Sequence, residues 1–156
     1  MTATMTGRRD GLGTAVGVLA AVYSATFFVG ALLHAGVRIP LGFAVLTEPV
    51  IVPAVIVEGL CGIGLAASAY AVLTHKSWAW PFTLGAHAFA LGGVLLGITA
   101  IAVGRGPHTV LNDTYHRVMV ILLLASVALL VTPLGKAALG RPDRHPEGRD
   151  RPEDAM

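Results

Sequence analysis

The chain has 156 residues, of which 54% are hydrophobic and only 13% are charged, and its net charge is +2. A soluble domain has roughly 25% charged residues, so this composition argues against a soluble protein. The small net charge and the lack of a basic patch interleaved with aromatic residues argue against a nucleic-acid partner. The apolar residues fall in four long runs, which predicts an all-α integral membrane protein built as a four-helix bundle.

The first apolar run, residues 11–37, contains no Asp, Glu, Lys or Arg and follows a polar leader, residues 1–10. A signal peptide has an apolar core of roughly 7–15 residues, so this longer run predicts a retained transmembrane helix over residues 12–36. Gly13 and Gly17 are four residues apart and therefore form a small-residue face, where a neighbouring helix can approach closely.

The connection from Arg38 to Glu48 is apolar but too short to cross a bilayer, so we expect it to lie in the membrane interface. The next run predicts a second helix over residues 49–74, with Pro49 and Pro53 in its first turns, where a missing amide hydrogen matters least.

Two more apolar runs predict helices over residues 81–103 and 114–134, which completes a transmembrane domain over residues 11–136. In the first of these two runs, Gly93 and Gly97 are four residues apart and form a second small-residue face. The segment 112–114, Asn-Asp-Thr, offers three candidate N-caps for the last helix. The C-terminal segment, residues 137–156, combines prolines with alternating charges and lacks the apolar residues needed for a core, which predicts a disordered tail.

The basic residues predict the orientation of the bundle. Eight of the eleven Lys and Arg residues fall on the side of the two termini, and three fall on the other side. Because basic residues concentrate on the cytoplasmic side, we expect a multi-pass plasma-membrane protein with both termini in the cytoplasm.

One carboxylate, Glu58, lies inside the second helix. A charge in the membrane costs at least a few kcal/mol and is therefore rarely accidental. Counting about 1.5 Å of rise per residue places Glu58 and His87 of the third helix near the same depth. Two interpretations remain open: a buried carboxyl that ties helices together by a hydrogen bond to His87 or to a backbone carbonyl, or a site for protons, an ion or a polar headgroup.

A second group of polar residues is expected at the outer end of the bundle. Two histidines and two carboxylates in this group could in principle bind a metal ion, but their spacing in the sequence is not diagnostic, so we predict no metal site. We interpret the group as helix caps, interfacial anchors and salt bridges. The histidines stand on separate helices at unequal depths, which argues against haem. The outer group consists of His34, Arg38, Glu48, Asp113, His116 and Arg117.

Residues 57–66, VEGLCGIGLA, and the basic turn at residues 75–80, HKSWAW, resemble the DoxX-like family of small four-helix bacterial membrane proteins. The resemblance covers residues 50–100. The first helix has a comparable glycine-containing run at residues 28–31, but the basic residue expected soon after it is displaced to Arg38. The family implies four helices and, in some members, a link to quinone-coupled sulfur oxidation or to oxidative-stress complexes.

These observations support two classes of function. We favour a non-enzymatic or accessory membrane protein, with no bound cofactor, beside a membrane redox partner or in a homo-oligomer. The alternative is a subunit that binds a quinone or another lipophilic small molecule, or a proton-coupled carrier, using Glu58 and His87. No catalytic residue can be assigned, because nucleotide loops, nucleophile elbows and zinc-protease motifs are all missing from the sequence.

Overall fold

A computed structural model describes residues 2–140, with side chains from Gly11 onward. It confirms the all-α class, since the only strands within residues 2–140 are a pair of two residues each. In this described part of the chain, four segments are long and apolar enough to cross a membrane: residues 11–34, 52–73, 79–102 and 110–131. The elements in chain order are α1 (Thr2–His34), β1 (Ile39–Pro40), β2 (Val45–Leu46), α2 (Val52–Leu73), α3 (Ala79–Ala102), α4 (Val110–Val131) and α5 (Pro133–Leu139).

Several helix bounds differ from those expected. The backbone of α1 is helical from residue 2, so it includes the leader. Helix α4 begins at Val110 because the hydroxyl of Thr109, rather than a side chain of residues 112–114, caps it by accepting the amide hydrogen of Asn112 at 3.0 Å. Residues 137–139, the first residues of the expected tail, form the last part of helix α5. Residues 141–156 lie outside the described part of the chain.

Small residues bring neighbouring helices close together, as the sequence predicts. A Cβ atom added to Gly17 would lie 2.7 Å from Cδ2 of Leu73, so α1 and α2 approach closely there. A Cβ atom added to Gly93 of α3 would lie 3.0 Å from Cγ1 of Val57 and 3.1 Å from Sγ of Cys61. Bulkier residues at either glycine would force these helices apart.

Some of the polar side chains in the core bond across helices. Ser68 of α2 donates to Thr83 of α3 at 2.9 Å, and both residues are fully buried. The indole nitrogen of Trp80 donates to the carbonyl oxygen of Leu130 at 3.0 Å. These bonds satisfy polar groups in the core and fix α2, α3 and α4 relative to one another.

The two ends of the bundle differ. At the hairpin end, formed by residues 35–51 and 103–109, strands β1 and β2 pair as a short antiparallel hairpin. The chain then folds back on α1, because the amide of Ile51 donates to the carbonyl oxygen of His34 at 3.0 Å. At the opposite end, formed by residues 74–78 and α5, Leu139 packs against Val16 and Leu130.

Candidate functional site

A cavity of about 310 Å³ lies at the hairpin end, mainly between α2 and α3. Pro53, Leu96 and Arg105 line it and are themselves exposed, so the cavity reaches the protein surface. Its walls are mostly apolar, with a few polar groups, as is usual for small-molecule sites. The polar side chains among its lining residues are His34, Glu58, Arg105, Asn112 and His116.

Glu58 lines this cavity and is 6% exposed. Its Oε2 atom is buried and has no hydrogen-bond partner within residues 2–140. The carboxyl group fits there because Gly30 of α1 has no side chain: a Cβ atom at that position would lie 2.9 Å from both carboxyl oxygens. A buried carboxyl without partners costs stability, which favours a role other than tying helices together.

His34, the last residue of α1, faces Glu58. Its Nε2 atom lies 4.0 Å from Oε1 of Glu58, which is beyond hydrogen-bonding distance. Its Nδ1 atom lies 3.2 Å from the carbonyl oxygen of Pro49, in the segment that folds back over the helix end. A carbonyl oxygen can only accept, so Nδ1 carries a proton and Nε2 of the neutral ring is an acceptor.

His116 of α4 reaches the same cavity. Its Nδ1 atom donates to the carbonyl oxygen of Asn112, one turn earlier, at 2.9 Å, which again leaves Nε2 as an acceptor in the neutral ring. Nε2 points at Gly97 of α3, where any added Cβ atom would overlap it. The missing side chain of Gly97 therefore leaves the space that the imidazole ring of His116 occupies.

The structure does not bring His87 to Glu58. Nδ1 of His87 donates to the carbonyl oxygen of Thr83 at 2.8 Å, and its ring packs edge-on against Tyr23, with 5.9 Å between ring centroids. Gly64 of α2 lies opposite Ala86, so His87 is level with residue 64, about 9 Å along α2 from Glu58. The expected hydrogen bond between Glu58 and His87 is therefore absent.

The expected outer group divides into two parts. His34 and His116 belong to the cavity, whereas Arg38 and Arg117 are exposed, and neither arginine makes an ion pair within residues 2–140. The expected salt bridge from Glu48 to an arginine is thus not formed.

Glu48 instead accepts from the hydroxyl of Thr109, whose oxygen lies 2.7 and 2.9 Å from the two carboxylate oxygens. Asp113 lies 3.7 Å from Nδ1 of His108, and its other carboxylate oxygen is buried without a partner among the described residues. Within residues 2–140, no three His, Cys, Asp or Glu side chains are grouped closely enough to hold a metal ion.

Sequence reasoning predicts a close-packing face at Gly93 and Gly97, but it missed that Gly30 and Gly97 make room for polar side chains. Gly30 and His34 are four residues apart and so share one face of α1, as Gly93 and Gly97 share one face of α3. Such spacing is visible in the sequence. The side chain that each glycine faces lies on another helix, so local spacing alone does not identify it.

The sequence matches no protein-family model, no curated protein and no solved structure.

Proposed function

We propose that this protein binds a lipophilic small molecule in the cavity at the hairpin end, with Glu58, His34 and His116 contacting its polar group. The supporting observation is the cavity itself, which combines mostly apolar walls with a buried carboxyl that has an unpartnered oxygen. A tightly filled core around Glu58 would instead favour a purely structural role. His34 and His116 take the place given to His87 by the sequence-based hypothesis.

The setting of this function is also a proposal. We infer a multi-pass protein of a bacterial plasma membrane, with both termini in the cytoplasm, because eight of the eleven basic residues lie on that side. The DoxX-like resemblance of residues 50–100 supports the same setting and makes a quinone one candidate ligand. Reporter fusions within residues 105–109 and at the C-terminus test the orientation, and a cytoplasmic signal from the loop would contradict it.

A second candidate is an accessory subunit that binds a membrane redox partner or another copy of this chain. It is favoured by α3, which exposes Phe89 and Leu96 on its outer surface, where either lipid or another helix can pack. Chemical crosslinking in native membranes, followed by mass spectrometry, tests it. A chain that crosslinks to no other protein would contradict this candidate.

Cavity binding is tested by extraction of co-purifying molecules. The protein is purified in lipid nanodiscs, its absorption spectrum and metal content are recorded, and extracted small molecules are identified by mass spectrometry. Ala100 lines the cavity, so Ala100→Leu should fill part of it and reduce the retained ligand. Ala88→Leu, at an exposed position of the same helix, is the control and should retain it. Equal retention by both variants would contradict the proposal.

A further inference from the structure

Three buried side chains of the cavity present hydrogen-bond acceptors. They are Glu58 when ionised and the imidazoles of His34 and His116 when neutral. In both rings Nδ1 donates to a backbone carbonyl, so the ring nitrogen left for a ligand is Nε2, an acceptor. The side-chain amide of Asn112 also lines the cavity and donates one of its two N–H groups to the carbonyl oxygen of Pro107 at 3.0 Å.

The spacing of two acceptors fits a donor placed between them. Oε1 of Glu58 and Nε2 of His34 are 4.0 Å apart, too far for a direct hydrogen bond. Two acceptors that each lie about 2.9 Å from one tetrahedral nitrogen are separated by about 4–5 Å, close to the distance observed. A nitrogen with several N–H groups can therefore bond to both of them at once.

We propose that the cavity binds a primary ammonium group carried by a lipophilic molecule, with Glu58 as its counter-ion and His34 and His116 accepting N–H hydrogen bonds. This inference rests on the proposed cavity function and specifies its ligand class. A quinone carbonyl, by contrast, is an acceptor and finds no donor in the two imidazoles. A quaternary ammonium has the positive charge but no N–H group to donate.

The surroundings of the three acceptors suit such a molecule. The apolar walls, including Val57 and Leu96, fit an aliphatic body. Arg105 lies at the mouth and is exposed, so its charge is screened by solvent. Its guanidinium also suits a phosphate, so the ammonium has two candidate sources: a free lipophilic amine, or the headgroup of an aminophospholipid. Both sources share the primary ammonium.

The test compares ligands that differ in N–H groups. The full chain in phosphatidylcholine nanodiscs is titrated calorimetrically with octylamine and with octyltrimethylammonium, and empty nanodiscs give the partitioning background. Octylamine should bind about tenfold tighter or better, because hydrogen bonds to charged groups are strong. Glu58→Gln should abolish this preference, whereas Gly59→Ala, beside the site but facing open space, should keep it. Equal affinities of the two ligands for the parent chain would overturn the proposal.

The source of the ammonium is distinguished by a second pair of ligands and one variant. Short-chain phosphatidylethanolamine is compared with its phosphatidylcholine counterpart, which differs only in methylation of the nitrogen. If the lipid is the source, Arg105→Gln should weaken phosphatidylethanolamine binding by removing the phosphate contact. If a free amine is the source, Arg105→Gln should leave octylamine binding equal or tighter, and phosphatidylethanolamine should not bind. Either result supports binding of a primary ammonium. If neither octylamine nor phosphatidylethanolamine binds more tightly than its methylated counterpart, the proposal is contradicted.

Failure of this inference can be told apart from failure of the cavity function. If octylamine, octanol and octyltrimethylammonium bind the parent chain equally well and Ala100→Leu weakens all three, the cavity binds lipophilic molecules and the ammonium inference is wrong. If octylamine binds the parent chain more tightly than the other two and Ala100→Leu weakens all three, both proposals are supported. If Ala100→Leu changes the binding of no ligand, both proposals are wrong. A loss confined to octylamine, with Ala88→Leu unaffected, supports both.

Discussion

The missing side chain of Gly30 is what accommodates the carboxyl group of Glu58: a Cβ atom at residue 30 would lie 2.9 Å from each of its oxygens. The contact joins α1 to α2, and Gly30 is not among the residues that line the cavity. Close-packed interiors do not absorb an added methyl group without movement. The position of Glu58 therefore depends on a residue that makes no hydrogen bond with it.

We expect Gly30→Ala to displace the carboxyl of Glu58 and weaken ligand binding about tenfold or more, since a 1 Å misplacement of a binding group is costly. The overlap is with the end of a flexible side chain, and alanine favours a helix by about 0.5–1 kcal/mol over glycine, so the stability change should stay under about 1 kcal/mol. Thermal unfolding and ligand titration check both parts. Gly59→Ala, with open space around it, is the matched control and should bind normally.

Glu58→Leu should leave the free energy of unfolding unchanged within about 1 kcal/mol, or raise it. Sequence reasoning alone expects a loss of roughly 1–2 kcal/mol, the scale of an interhelical hydrogen bond. Oε2 has no partner within residues 2–140 and Oε1 is 4.0 Å from His34, so there is no such bond to lose. Replacing an unsatisfied buried polar group by an apolar one of similar size is often neutral. Unfolding in detergent measures this, and a loss of 2 kcal/mol or more would show an interhelical tie after all.

Gly97→Ala should destabilise the bundle by about 1–3 kcal/mol, because the new methyl group overlaps the ring of His116, which is held by its bond to Asn112. Adding His116→Ala should recover much of that loss. The two substitutions should therefore be non-additive by about 0.5–3 kcal/mol in a double-mutant cycle. Gly92→Ala, five residues earlier in α3 and facing open space, is the control for helix propensity. If the stability losses of Gly97→Ala and His116→Ala are additive, the imidazole of His116 does not pack against residue 97.

Thr109→Val should destabilise the hairpin end by about 1–3 kcal/mol. The hydroxyl of Thr109 caps α4 and donates to Glu48, which is 8% exposed, so its loss removes a cap and leaves a buried carboxylate unpaired. Thr109→Ser keeps both bonds and should stay within about 0.5 kcal/mol of the parent. Thermal unfolding compares the two variants, and an equal loss in both would assign the effect to packing of the methyl group.

The four helices could be predicted because a long apolar run that crosses a bilayer can adopt few backbone structures. A chain in the bilayer must satisfy its backbone hydrogen bonds internally, so uninterrupted apolar runs of this length form helices whatever their neighbours are. The close approaches at Gly17 and Gly93 followed from small-residue spacing in the same way. The helices and the close approaches depend on local sequence, which is why the structure agrees with these predictions.

The partner of Glu58 could not be predicted, because it depends on long-range folding of the chain. Helix α2 begins three residues later than expected and α3 begins two residues earlier, but both shifts move the side chains towards the hairpin end, so they increase the axial separation of Glu58 and His87 by only about 1.5 Å. His34 becomes the neighbour instead. Its ring is oriented by Pro49, fifteen residues away, and no periodicity in the sequence encodes that contact.

The short helix α5 makes the bundle asymmetric along its axis. Leu139 is buried against Val16 and Leu130, and the carbonyl oxygen of Ala138 lies 3.2 Å from where a Cβ atom of Gly13 would be, so the opposite end is closed by packed side chains and backbone. A molecule that enters at the hairpin end can leave by the same mouth without disturbing that packing. If the proposed cavity binds a ligand, the ligand therefore enters and leaves at the same end of the bundle.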